Sequence, residues 1–290
     1  MNEFFSTYQH LFNVFLIGSG YAMSQWIVMR AGVFSVATAG LASIGAYSAA
    51  ILTTKYGWPY PLSLLAGAVM GTLFGLLLSW PLTRLRGVFQ AIATLAFVQI
   101  VVALTLFAEN LTGGAMGLNA IPTLVGTTET LIAFTVLVYL MLAVNATRLG
   151  RTFEAIRQNE AVASTLGVSV NYHQALAFAL SGAIAGLFGG LEAFQSFALF
   201  PNTFGFSLVI SALSYVVLGG RRSVAGPIVG TAILLILPEI SRSLADYRMA
   251  LYGAVLMLVI AFMPRGIVDT ALLTLRRRRL AALNPVQDNE

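Results

Sequence analysis

The residues able to do chemistry are few and scattered. His10 and His173 are the two histidines, far apart and outside the apolar runs, and cysteine is absent. That excludes a histidine metal pair, a histidine-based triad, a thiol nucleophile and a thiolate cluster. No GxxxxGK[ST] loop occurs, and Lys55, the single lysine, has no phosphate-loop context. Any ATP used must be hydrolysed by another polypeptide; this chain is expected to bind no cofactor or metal and to be no enzyme. What remains is a carboxylate within an apolar run, several neutral polar groups and one densely charged segment.

Glu192 is that carboxylate, about 17 residues into the run that starts at Ala175 and beside Gly189 and Gly190. At such depth it must face a watery cavity, pair with a partner or take a proton. The alternative places it near the outer interface, in keeping with Gln195 and Ser196 nearby. Thr94 and Gln99 are modest polar positions, read either as hydrogen-bonding glue between helices or as pathway lining. The uncharged stretch LTGGAMGLNAIP, residues 111–122, exposes backbone N–H groups that could meet a partner or line a pathway mouth, with Asn119 as its candidate side chain. A simple structured loop is the plainer reading. Glu239, after Pro238, reads as a helix terminator or a partner of Arg242.

The elements that must position these groups are membrane helices. The chain has 290 residues, 58% hydrophobic and 9% charged, with a mean hydropathy of +0.85, far from a soluble domain. Spans of about 20 apolar residues fit a hydrocarbon core roughly 30 Å thick. Nine apolar runs qualify as candidates: 11–29, 33–53, 62–82, 88–108, 131–146, 175–200, 206–219, 227–238 and 250–263. The fold class expected is therefore an all-α polytopic integral membrane protein with eight to ten transmembrane helices, the short runs after Phe206 being half-helices, a re-entrant pair or extended spans. Residues 1–10 lack the cationic region of a cleaved signal, so the first span is expected to be retained. The membrane domain is drawn at 1–275 and a basic, then polar, cytoplasmic tail at 276–290.

The net charge of +5 is explained by topology rather than by nucleic acid. Arg84 and Arg86, then Arg148, Arg151 and Arg157, then Arg265 with Arg276 to Arg279, mark the cytoplasmic side, while residues 109–129 hold no Lys or Arg and face outward. The run Arg276 to Arg279 has affinity for anionic lipid headgroups. Gly67, Gly71 and Gly75 fall on one face of one span, and Gly182, Gly186 and Gly190 on one face of another. Small residues there let helices approach closely, within the chain or between subunits.

Residues 147–173, TRLGRTFEAIRQNEAVASTLGVSVNYH, spend charge that the rest of the chain withholds. Phe153, Ile156, Ala163 and Leu166 recur near helical spacing; Glu154, Arg157, Gln158 and Glu160 lie towards another face, with Arg157 and Glu160 at i,i+3. Gly167 is expected to end the helix. A short amphipathic cytoplasmic helix of this kind either anchors its loop at the interface or docks into a partner.

GRTFEAIRQNEAVASTLG, within this segment, resembles the cytoplasmic loop of ATP-binding-cassette importer permeases of the branched-chain amino acid type, the LivM-like family. TLAFVQI at Thr94, LTGGAMGLNAIP at Leu111, VLGGRRSVAGPIVGTAIL at Val217, LPE at Leu237 and MPRGI at Met263 resemble patterns of that family in the same order, over residues 33–267. The resemblance implies that Glu160 and Ala161 open, and Gly167 closes, an EAA-type sequence that docks in an ATPase groove, with Arg151, Glu154 and Arg157 on the same coupling segment. The Glu160 to Gly167 spacing of seven is one longer than the commonest in other importer families. It further implies a second related permease, two ATPase subunits that use the ATP, an extracytoplasmic solute-binding protein and a bacterial inner-membrane location. The solutes implied are branched-chain or other small apolar amino acids, with urea, amides and small carboxylates open. The rivals are an ion-coupled secondary transporter with Glu192 as its protonatable group, and a membrane scaffold.

Overall fold

The computed structural model describes residues 2–240, 253, 257, 261, 263 and 266–274. Eleven α-helices are described to residue 240: α1 (Asn2–Arg30), α2 (Thr38–Tyr56), α3 (Tyr60–Leu82), α4 (Val88–Phe107), α5 (Glu109–Thr112), α6 (Thr127–Ala146), α7 (Arg148–Gln158), α8 (Glu160–Thr165), α9 (Val170–Gln195), α10 (Phe206–Gly219) and α11 (Ala225–Ile240). Among the described residues the pairing of extended backbone is confined to one antiparallel bridge, Leu118 with Leu199. Contacts divide the chain into two units, 1–213 and 214–290.

In the first unit α9 is the axis, and α1, α2 and α3 pack around it. The packing with α3 follows from glycine register: a methyl built on Gly71 would lie 2.2 Å from the Gly182 carbonyl oxygen, and one on Gly186 would lie 2.4 Å from the Gly67 oxygen. Gly75 meets the Phe178 carbonyl at 2.4 Å and Gly67 the Gly45 carbonyl at 2.8 Å in the same sense, while Gly190 faces the Leu64 side chain at 2.9 Å. Hydrocarbon offers helices little hydrophobic drive to associate, so backbone contact at glycine supplies the dispersion that holds them.

Among the described residues six helical segments are long and apolar enough to cross a membrane: Tyr8–Arg30, Tyr60–Leu82, Val88–Phe107, Thr127–Ala146, Val170–Gln195 and Pro201–Gly219. The outward faces of α3, α4 and α6 display Leu77, Leu104 and Ile132, as a lipid-bathed surface requires. The expectation of eight to ten such spans is thus met only in part. The run 33–53 becomes α2, which Ala, Gly, Ser and Thr dominate. It needs no lipid-soluble surface where it is walled in by α3 and α9, and Leu41, Ala42, Ala46 and Ala49 are fully buried. The run 227–238 becomes a shorter apolar helix, and the run 250–263 lies outside the continuously described residues, as do the Glu239 side chain, Arg242 and Arg276 to Arg279.

Residues 31–37, between α1 and α2, leave the helix yet stay largely buried, so their backbone polar groups need partners from side chains. Gln25 supplies one, its amide donating to the Ser35 carbonyl while its oxygen accepts from the Thr38 hydroxyl at 2.8 Å. The Thr94 hydroxyl supplies another, accepting from Val36 N–H at 3.0 Å. In the second unit the GGRR turn after α10 is held by Asp269, 4% exposed, which accepts from the N–H groups of Arg222 at 2.9 Å and Ser223 at 3.2 Å. Two stretches distant in sequence, VLGGRRSVAG and MPRGI, therefore meet, with Gly266 against Gly220 at a spacing that excludes a side chain.

Candidate functional site

Arg30 ends α1, Arg84 and Arg86 follow α3, and Arg148 opens α7 directly after α6; α7 and α8 pack at this end, Arg157 against Gly32 and Glu160 beside Arg86. α7 buries Phe153 at 0% exposure and Ile156 at 1%, and it turns Arg151, Ala155 and Gln158 outward. It is seated on the turn after α1: Gly32 has φ +83°, and a methyl there would come within 3.3 Å of Arg157 Cα. Arg30, at the end of α1, stacks over Trp26 at 5.1 Å.

The single helix expected over this segment is two. Asn159 is extended, with φ −160° and ψ 111°, and its side-chain oxygen accepts from Ala161 and Val162 N–H, capping α8. That break alters the charge pairing. Arg157 does not reach Glu160 at i,i+3; it donates instead to Glu154, at 2.5 Å and 3.2 Å, and Gln158 donates to the same carboxylate at 3.2 Å. Glu160 turns away, accepts from Gln174 at 3.2 Å and lies 3.9 Å from Arg86. Ala163 stays buried at 2%, but Leu166, expected on the same apolar face, is 76% exposed. Gly167 ends the turn with φ +82°. Ala161, Val162, Thr165 and Leu166 are left as an outward surface. Behind α8 opens a cavity of about 410 Å³ lined by Arg86, Gln90, Glu160, Asn171 and Gln174 among others.

Burial pushes the Glu154 carboxyl up, but hydrogen bonds from Arg157 and Gln158 and the charges of Arg157 and Arg30 outweigh it, holding the group below the ordinary carboxylate range. A carboxyl held lower in the folded chain lends stability that is present above its unfolded value of about 4.3 and lost as pH falls through the folded value. With the Arg157 and Glu154 side chains 21% and 28% exposed, the contribution at neutral pH is under about 1 kcal/mol. Thermal melting of purified protein is expected to show wild type slightly above Glu154→Gln at neutral pH, the gap closing on acidification. A gap that stays constant throughout would refute the assignment.

The remaining candidates separate in the structure. Thr94 is fully buried and committed to Val36 N–H and to the Gln90 and Ala91 carbonyls of its own helix. Gln99 is exposed. Asn119 donates to the Met116 and Gly117 carbonyls at 3.1 and 3.3 Å, inside a loop clamped by the Leu118 to Leu199 bridge and by Ile121 N–H on the Phe197 carbonyl. Glu192 lies one turn from the end of α9 and accepts from the Tyr21 hydroxyl of α1, while Gln195 donates to Thr130 of α6 at 2.5 Å. Tyr21 is 2% exposed.

Removing that hydroxyl leaves an acceptor without its donor, at an expected loss of about 1.5–3 kcal/mol for Tyr21→Phe. Pairing Tyr21→Phe with Glu192→Leu, which removes both partners, is expected to regain part of it in the same melting assay. A Tyr21→Phe protein that melts with wild type would show that the bond contributes nothing.

Four residues that matter here escaped the sequence reading. Asn159 had a local signal, an Asn just ahead of EA, but Tyr21, Gly32 and Asp269 act through partners remote in the chain.

A bundle of apolar helices that seats a short, polar helix pair at its arginine-bearing end has the architecture of a membrane permease. A family profile described as branched-chain amino acid transport system / permease component matches residues 9–260, and the chain belongs to that family. Among its relatives, the high-affinity branched-chain amino acid transport system permease protein LivM of Escherichia coli K12 is 30% identical over 276 residues, covering 83% of this chain and 65% of the relative. BraD of Pseudomonas aeruginosa, named for the same kind of system, is 26% identical over 305 residues, covering 92% of this chain and 97% of the relative. A probable branched-chain amino acid transport permease protein, LivH of Methanocaldococcus jannaschii, is 31% identical over 140 residues, 46% of this chain and 42% of the relative. The chain thus spans 65% of the length of the LivM relatives it matches. No solved structure matches it.

Proposed function

We propose that the chain is the permease subunit of an ATP-binding-cassette importer, forming half of a transmembrane pathway for branched-chain or other small apolar amino acids. It works with a second related permease, two ATPase subunits and an extracytoplasmic solute-binding protein, in the bacterial cytoplasmic membrane with its arginine-bearing end inside. ATP is hydrolysed by the partners; this chain binds none and holds no cofactor. The observation that carries the reading is the α7–α8 pair, which a secondary carrier has no use for. α7 is fastened to the bundle through Phe153, Ile156 and the Gly32 contact, so a displacement of α8 by an ATPase is passed on to α1 and α9 rather than absorbed locally. Substrate recognition rests mainly with the binding protein, and a pathway poor in fixed charge releases what it receives.

Two measurements test this. The permease is expected to co-purify with an ATP-binding-cassette ATPase of the same organism, and proteoliposomes of the whole assembly are expected to accumulate leucine only with ATP inside and the binding protein outside. Uptake driven by a proton gradient without ATP would establish the carrier reading, and uptake of urea, amides or small carboxylates alone would keep the architecture and change the solute.

A further inference from the structure

Gln99 sits near the middle of α4, a helix of 20 residues. Its face is exposed, and its amide meets no hydrogen-bond partner among the described residues. The other polar side chains of that helix behave differently. Thr94 and Thr105 turn their hydroxyls back on carbonyls of their own helix, at 2.8 Å in both cases, and on α6 the exposed Thr135 does the same. A hydroxyl can be silenced in this way at little cost. An amide with two N–H donors and a carbonyl acceptor is left open on this face, and lipid tails offer it nothing.

The neighbours on the same face sharpen the point. Taking about 100° per residue, Ala96 and Ala103 lie within about 60° of Gln99 on one side, with Leu95 and Val102 as near on the other, so methyl groups border the amide on one side and leave space there. Leu104, 61% exposed, lies about 140° away on the same helix and presents an ordinary lipid-facing surface.

We propose that the Ala96, Gln99 and Ala103 face of α4 lines the water-filled solute pathway, with Gln99 as the group that hydrogen-bonds the passing solute. The inference rests on the reading of the chain as a permease for amino acids. A zwitterion carries an acceptor and a donor, and an amide can donate to the one and accept from the other without the net charge that would hold the solute in place. Gln99 is in this sense a specificity residue, acting on solutes that bear both groups.

The chain lacks cysteine, so single cysteines report directly. In membranes containing the full assembly, Gln99→Cys is expected to react with a membrane-impermeant, cationic methanethiosulfonate, and solute-loaded binding protein is expected to slow the reaction. Leu104→Cys is expected to stay unreactive, although it lies nearer the end of the helix at which residues 109–129 begin. In proteoliposomes Gln99→Leu is expected to lower leucine uptake about tenfold, the loss of one hydrogen bond, with the ATPase still co-purifying, and Gln99→Asn to retain most of it. If Gln99→Cys resists the impermeant reagent but reacts with N-ethylmaleimide, the face is lipid-bathed or packed and the proposal fails. A spontaneous disulfide between two copies would overturn it in favour of an interface between subunits. Reactivity and protection need only the assembled complex and its binding-protein ligand, so failure of the leucine assignment would leave this result legible.

Discussion

Gly182→Leu is expected to yield no folded permease. A side chain at Gly182 would begin 2.1 Å from the Gly71 carbonyl oxygen, and one at Gly71 would begin 2.2 Å from the Gly182 carbonyl. Both obstacles are helical backbone, which cannot turn aside as a rotamer can. Extra methylenes in a packed core already cost about 1–3 kcal/mol where neighbours can shift; here α3 and α9 would have to separate over their whole seam, losing the contacts at Gly67, Gly75 and Gly186 together. Gly190→Ala provides the internal scale. Its methyl meets the Leu64 Cδ2 atom at 2.9 Å and the Ala49 Cβ at 3.3 Å, and the leucine end can move, so a loss of no more than about 1 kcal/mol is expected. Size-exclusion profiles and melting curves of detergent-extracted protein read both. If Gly182→Leu extracts as a monodisperse, wild-type-like species, the α3–α9 seam is not as close as the geometry states.

That seam also shows what the sequence made legible. Glycines four apart on two apolar runs announced close packing, because helical periodicity and small size are local properties. Which run would face which was not written there. Gly45 and Gly189 belong to the same contacts, Gly45 against the Gly186 backbone and Gly189 against the Ala42 carbonyl, and they stood out only once three helices were in place. The lipid-facing spans α3, α4 and α6 were recognisable by hydropathy. α2 was recognisable as apolar but not as enclosed, since small residues serve lipid contact poorly and helix contact well.

Residues 147–173 are legible in composition but not in phase. A continuous helix would have kept Arg157 beside Glu160 and Leu166 beneath Ala163. One extended residue, Asn159, interrupts the helix, so Glu160 and Leu166 do not point where about 100° per residue would put them, although Ala163 keeps its buried place. The Tyr21 to Glu192 bond was beyond reach for another reason. Glu192 was conspicuous because a carboxylate in an apolar run needs an explanation, but a tyrosine in a span is unremarkable, and nothing local links two residues on helices at opposite ends of the unit's sequence.

The reversal Glu160→Arg is expected to separate folding from coupling. In the first unit Glu160 holds two light contacts, the Gln174 amide at 3.2 Å and the Arg86 guanidinium at 3.9 Å, with the Arg86 side chain 86% exposed. An ion pair so exposed contributes little, and α8 keeps its Asn159 cap and the buried Ala163 without it. The variant is therefore expected to extract and melt within about 1 kcal/mol of wild type. What it changes is the surface that α8 offers: a new guanidinium beside Arg86 gives a cationic rim where an ATPase groove would meet a carboxylate. The ATPase is expected to be lost on purification, and ATP-dependent uptake with it, whereas Glu160→Gln, which can still accept from Gln174, retains both. Repulsion from Arg86 within the chain could by itself tilt α8, and the double variant Arg86→Glu with Glu160→Arg distinguishes the two causes. Restored uptake in the double variant would place the damage in the loop between α3 and α4; continued loss would place it at the partner. Survival of assembly and uptake in Glu160→Arg alone would mean that α8 is not the docking element.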